Sequence, residues 1–218
     1  RGKARLFRDG HPLVYEKAVK EFTGPAPQPG DLVSVVDGMD NVLGVGFFNP
    51  HSMFRVRFLA HAHEGALWDA LQERGASGGD VVELVARERV RRAVARRKAL
   101  NLPREDTDAY RLCNGEGDRL SGLVIDVIGP EHVVVSSSSL WCEVYKRSIQ
   151  AAVRAEMGEA ARLIWRKTTA RLAQDGYNEV FDEVDREAED AEEEDDEEVV
   201  IQELGFRYAA NPASGQKT

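Results

Sequence analysis

The chain has 218 residues, 42% of them hydrophobic and 7% aromatic, and a formal net charge of -9. A chain of this length can bury a sizeable core in one or two domains. Its two cysteines exclude a disulfide-rich scaffold and a cysteine-based zinc site, and no uncharged apolar run approaches the ~18 residues that span a bilayer. No membrane association is therefore expected.

The acidic charge is local. Residues 182–198 hold thirteen Asp/Glu and one Arg, a net of -12, which leaves a mildly basic +3 for the rest. So dense a run repels itself, and the expectation is a disordered, solvated loop rather than a tether for a basic partner or a nucleic-acid mimic. The chain begins at Arg1 with no charged-then-apolar leader, which reads as a processed or excised piece.

In chain order, Asp31–Asp37, Val42–Phe48 and Phe54–Leu59 read as short strands broken by turns at Gly38, Asp40-Asn41 and Asn49-Pro50. Alternation puts Phe54, Val56 and Phe58 on one face and Arg55 and Arg57 on the other, predicting a small β-domain with a basic outer edge. The proline-rich stretch Gly24–Gly30 is a loop inside it, and Gly75–Gly79 marks its exit.

From Asp80 the period becomes helical, with Val82, Val85, Ala86, Val90, Ala93, Val94 and Leu100 on one face until Pro103. The other faces carry Arg87, Arg89, Arg91, Arg92, Arg96, Arg97 and Lys98 against Glu88 alone, a stripe that could track phosphates or simply be solvated. Strands follow at 109–113, 122–128 and 132–136, with Asn114–Asp118 as a hairpin turn. A helix over 140–157, a strand at 162–166 and strands at 198–203 and 206–208 complete an α+β order.

Several tempting motifs fail. Gly44-x-Gly46 lacks the third glycine and the helix of a dinucleotide loop, and Ser214–Thr218 does not fit a phosphate-binding loop. His51, His61 and His63 lack a completing carboxylate or thiol shell, so they are expected to be surface histidines and no metal is expected. Cys113 and Cys142 read as buried thiols. Glu116 and Asp118 read as turn-stabilising rather than, with Asp126, as acid/base carboxylates.

Taken together, His11–Tyr15, Gly44–Pro50 with Ser52 and Arg55–Arg57, Tyr110–Asp118, Leu120–Asp126 and Gly215–Thr218 resemble the large-subunit ribosomal RNA cytosine-5 methyltransferase family. The resemblance covers nearly the whole chain, with Tyr110–Asp126 as its most specific segment. Leu13 in place of the family's usual Trp, Ser121 in place of Pro, and the acidic insertion depart from the pattern.

The resemblance implies an N-terminal small β-barrel-like PUA domain over 1–75 and a central strand-strand-helix-strand-strand domain over 80–205, with the disordered insertion at 182–198. Residues 206–218 would then begin a Rossmann-like methyltransferase domain that is otherwise absent. It further implies a truncated protein, inactive alone, whose catalytic residues and S-adenosylmethionine site lie downstream of Thr218. In the full enzyme a cysteine would add to cytosine C6 to activate C5 for methylation. Arg55, Arg57, Arg87, Arg91 and Lys98 are the expected contacts to RNA, most simply ribosomal RNA. The expected compartment is the cytoplasm, or a plastid or mitochondrial matrix for a eukaryotic source. The alternatives are a stand-alone RNA-binding or ribosome-associated module and a guanine-directed RNA methyltransferase.

Overall fold

The structure is a computed structural model that describes residues 2–73, 78–178 and 198–214. The acidic tract up to residue 197, the Gly75–Ser77 part of the expected exit and the Gly215–Thr218 motif lie outside the described residues.

The chain opens with helix α1 (Gly2–Arg8), a feature the sequence pattern did not announce. Strands β1 (Leu13–Tyr15), β2 (Leu32–Val36), β3 (Val42–Phe48) and β4 (Phe54–His61) then form an antiparallel sheet in the order β1-β4-β3-β2. The ladder is open rather than a closed barrel among the described residues, because β1 and β2 do not pair with each other. Pro25, Pro27 and Pro29 remove backbone donors from the segment that leads into β2, which suits an edge and not a closing strand. One face of the sheet buries Val14, Leu43, Phe48, Val56 and Phe58 with Phe7 of α1.

Gly46 explains the glycine pair of β3. A Cβ there would overlap the Arg57 carbonyl oxygen of β4, so the bare backbone permits the two strands to approach. The Gly44-x-Gly46 pattern is thus a strand-packing device.

Helix α2 (Ala66–Glu73) precedes the long helix α3 (Gly78–Ala99), whose buried face is Val82, Val85, Ala86, Arg89, Val90 and Ala93. Asn101, at φ 59, takes the left-handed conformation that ends a helix. The chain therefore turns away before Leu100 can rejoin the apolar face, and Leu100 is exposed.

Strands β5 (Tyr110–Asn114), β6 (Leu123–Ile128) and β7 (His132–Ser137) form an antiparallel meander. Helices α4 (Leu140–Val144) and α5 (Lys146–Met157) then return the chain to β8 (Arg162–Lys167), which pairs parallel to β7. The single helix expected over 140–157 is broken at Tyr145, whose ψ of 25° departs from the helical range. Helix α6 (Thr169–Gln174) follows, and β9 (Val199–Glu203) pairs with β10 (Phe206–Ala210) as a hairpin.

The β5–β8 sheet is covered on both faces. Leu123, Ile125, Val133 and Val135 share a core with α3 and α5, while Ile128 and Val134 pack with Ile201 of the hairpin. The larger core also reaches into the first sheet through Phe47, Leu59 and Ala60. Phe47 of β3 stacks on Trp141 of α4 with centroids 4.4 Å apart and planes inclined by 3°. Packing therefore runs straight across the expected boundary between residues 75 and 80.

Candidate nucleic-acid interface

Strand alternation puts Arg55 and Arg57 opposite Phe58, as expected, but their face is not an outer one. The β5–β8 unit lies against it. Arg57, whose side chain is only 13% exposed, donates from Nη1 to Ser121 Oγ at 2.8 Å and lies 3.8 Å from both Glu116 and Asp175. Its guanidinium also sits 5.1 Å from the centroid of the Phe54 ring, and its Nε is buried without a hydrogen-bond acceptor among the described residues. Arg55 pairs with Glu16 at 2.5 Å and donates to the Pro50 carbonyl. The basic outer edge is thus ion-paired, and at Arg57 it faces the β5–β8 unit.

The arginine stripe of α3 is also heavily paired. Arg87 bonds Glu156 at 2.8 Å, Arg91 and Arg92 share Glu88, and Arg96 and Arg97 converge on Asp118 at 2.8 and 2.9 Å. Lys98 is exposed and forms no ion pair among the described residues. Arg89 does not belong to the stripe at all. It is 2% exposed, donates to the Leu59 carbonyl and ion-pairs with Glu64. Burial would raise the Glu64 carboxyl, but hydrogen bonds from His61 and Arg89 outweigh it and hold the group well below the usual carboxylate range.

Two other expectations meet the same cluster. His61 is buried, not on the surface, with its ring stacked 4.3 Å from Phe58 and its Nε2 3.2 Å from the His11 carbonyl. His63 and His51 are exposed, and no group of three potential metal ligands occurs among the described residues. Asp118 does stabilise its turn, since its carboxylate accepts from the Asn114 backbone N–H at 2.8 Å. Cys113 and Cys142 are buried, and burial pushes the Cys113 thiol up to about 12.

Between the two sheets runs a groove of about 830 Å³ lined by Met53 and Phe54, by Arg57, Arg111 and Arg171, by the carboxylate residues Glu116 and Asp175, and by Gly115 and Gly117. Arg111 and Val124 also line a second cavity of about 650 Å³ on the hairpin side of the β5–β8 sheet, which continues to Ser136, Arg166 and Tyr208. Arg111 is held by Asp126 at 3.0 Å, while Arg171 has no ion pair among the described residues. Of the five residues expected to touch RNA, the groove contains Arg57 alone. Sequence pattern could not find Arg111 and Arg171, because their common wall exists only once three distant segments have folded together.

Residues 1–61 match the model of a family described as a PUA-like domain. Over 97% of its length the chain is 33% identical to a ribosomal RNA large subunit methyltransferase of Deinococcus radiodurans, 48% of which is covered. It is also 26% identical along its entire length to ribosomal RNA large subunit methyltransferase I of Pseudoalteromonas atlantica, covering 49% of that protein. The chain thus spans about half the length of the curated relatives it matches. Among solved structures it resembles a Streptococcus mutans protein provisionally described as SAM-dependent methyltransferase, at TM-score 0.65 and 16% identity over 97% of this chain and 47% of that one. A structure provisionally described as a methyltransferase complexed with SAH gives TM-score 0.63 and 18% identity over 97% of this chain and 46% of that one. These likenesses support neither truncation, nor inactivity, nor a stand-alone RNA-binding module.

Proposed function

We propose that the chain is the PUA-bearing, RNA-holding part of an S-adenosylmethionine-dependent methyltransferase acting on large-subunit ribosomal RNA. The observation that carries this reading is the similarity of 97% of the chain to the Deinococcus radiodurans enzyme. A mixed α+β fold whose two sheets flank a groove lined by three arginines and two carboxylates supports it, because accessory domains hold RNA through phosphate and shape contacts. The finer proposals are methylation at cytosine C5 and a cytoplasmic location. Division into an N-terminal unit over 1–75 and a central unit over 80–205 belongs to the same reading.

The groove and the hairpin-side cavity each mix arginines with carboxylates, Glu116 and Asp175 in the first and Asp126 in the second, and β7 passes into α4 through Ser138 and Ser139 without a glycine-rich loop. No residue of this chain is assigned to the cofactor, and no chemical step is derived through it.

The test is methyl transfer from radiolabelled S-adenosylmethionine to large-subunit ribosomal RNA, by this chain and by a protein extended to the full length of the relatives. Mass spectrometry of the digested RNA locates the product. The reading expects 5-methylcytosine from the extended protein. A methylated guanine sinks the base assignment, and no transfer by either protein sinks the methyltransferase.

A further inference from the structure

The arginines most conspicuous in the sequence are the ones the fold neutralises. On α3, five of the seven expected cations pair with Glu88, Glu156 or Asp118, and Arg89 is interior. The groove between the sheets differs in kind, because it combines Arg171, unpaired among the described residues, with the exposed Met53 and the half-buried Phe54, while Glu116 and Asp175 hold Arg57. Met53 is 63% exposed beside Phe54, and Tyr15, 42% exposed, meets the Phe54 ring edge-on at 5.2 Å.

Resting on the RNA reading above, we propose that a single-stranded RNA segment runs through this groove and on across the hairpin-side face of the β5–β8 sheet. Arg171 and Arg111 take its phosphates, and Met53 with Phe54 takes a base. The continuity comes from Arg111 and Val124, which line both cavities. Arg171 is exposed and unpaired among the described residues, so a phosphate there displaces no protein anion. Arg111 spends one N–H on each of three contacts, two to Asp126 and one to Asn114, and keeps the remaining N–H donors of its guanidinium for a ligand. The bare Cα atoms of Gly115 and Gly117 leave the floor open to close approach. A duplex does not fit this chemistry, since its bases are stacked inward and offer no free face to an aromatic or thioether side chain.

The experiment is fluorescence anisotropy of the full chain with a short labelled single-stranded RNA and with an RNA duplex, over a range of salt. Arg171→Glu and Arg91→Glu are compared, both at exposed positions, and 4-thiouridine cross-linking maps the bound segment. The path predicts preference for the single strand, and about a tenfold loss of affinity in Arg171→Glu with a salt slope shallower by ~0.7 for each phosphate no longer neutralised. It also predicts a cross-link on the peptide carrying Met53 and Phe54, and little change in Arg91→Glu. Loss in Arg91→Glu alone, or a cross-link confined to α3, overturns the path while leaving the RNA reading intact. A wild-type chain that binds no RNA at low salt overturns both.

Discussion

Glu64 shows how a single residue can carry the geometry of two elements. Its carboxylate, 4% exposed, lies within 2.5 Å of Arg89 on α3 and 3.1 Å of Arg119, and it accepts from the His61 backbone N–H at 2.9 Å. A buried ion pair adds little over an apolar pair, but removing one partner strands the other, at about 3–5 kcal/mol. Glu64→Gln is therefore expected to destabilise the chain by about 3 kcal/mol, read as a lowered denaturant midpoint at neutral pH. The same site gives a pH dependence. Because the folded carboxyl lies below its ordinary value of 4.5, its contribution is complete above that pH and fades as acid protonates the folded form. The midpoint of the wild type should fall on acidification from pH 7 to about pH 3 by more than that of Glu64→Gln. Equal falls would mean that other carboxylates dominate. Arg89 was not legible as a core residue, because helical periodicity sorts side chains by polarity. Only the fold brings Glu64 opposite it.

At the scale of elements, sequence pattern worked where the local period alone decides the element. Strands β3 and β4, the buried Val82, Val85, Ala86, Val90 and Ala93 of α3 and both strands of the β9–β10 hairpin lie where alternation or helical spacing puts them. It failed for α1, and for the break at Tyr145, where the chain changes direction to pack α4 on β3 through Trp141 and Phe47. It also misjudged which side of β4 is the outside, since alternation separates two faces without saying what covers each. The β3–β4 pairing yields a sharp prediction. In Gly46→Ala the new methyl meets the Arg57 carbonyl, which is backbone and cannot rotate away. A cost of at least about 2 kcal/mol is expected, seen as a melting temperature lowered by roughly 4–8 °C. Gly117→Ala, where a Cβ meets nothing within 4 Å, is the matched control and should shift little.

For the molecule as a whole, the question is whether the two sheets behave as separate bodies. Composition shift and the glycine-rich exit read as a boundary near residues 75–79, and nothing local contradicts that reading. Contacts between residues far apart in sequence argue the other way. The Phe47–Trp141 stack, the Asn49 side-chain amide donating to the Asp175 carbonyl at 2.7 Å, and Leu59 and Ala60 in the core of α3 all join the sheets. The groove is a product of that union, with Phe54 and Arg57 from one sheet facing Arg111 and Arg171 from the other unit. If the packing is energetically continuous, calorimetry of the chain will show one cooperative transition, and Trp141→Ala will lower it as a unit. Loss of so large a buried ring costs about 3–5 kcal/mol. Hydrogen exchange supplies the decisive readout, because Trp141→Ala should then speed exchange of the β3 amides as much as those of β6 and β7. Two resolved transitions, with β3 protection unchanged in the variant, would mean that the sheets are tethered bodies and that the groove opens and closes between them.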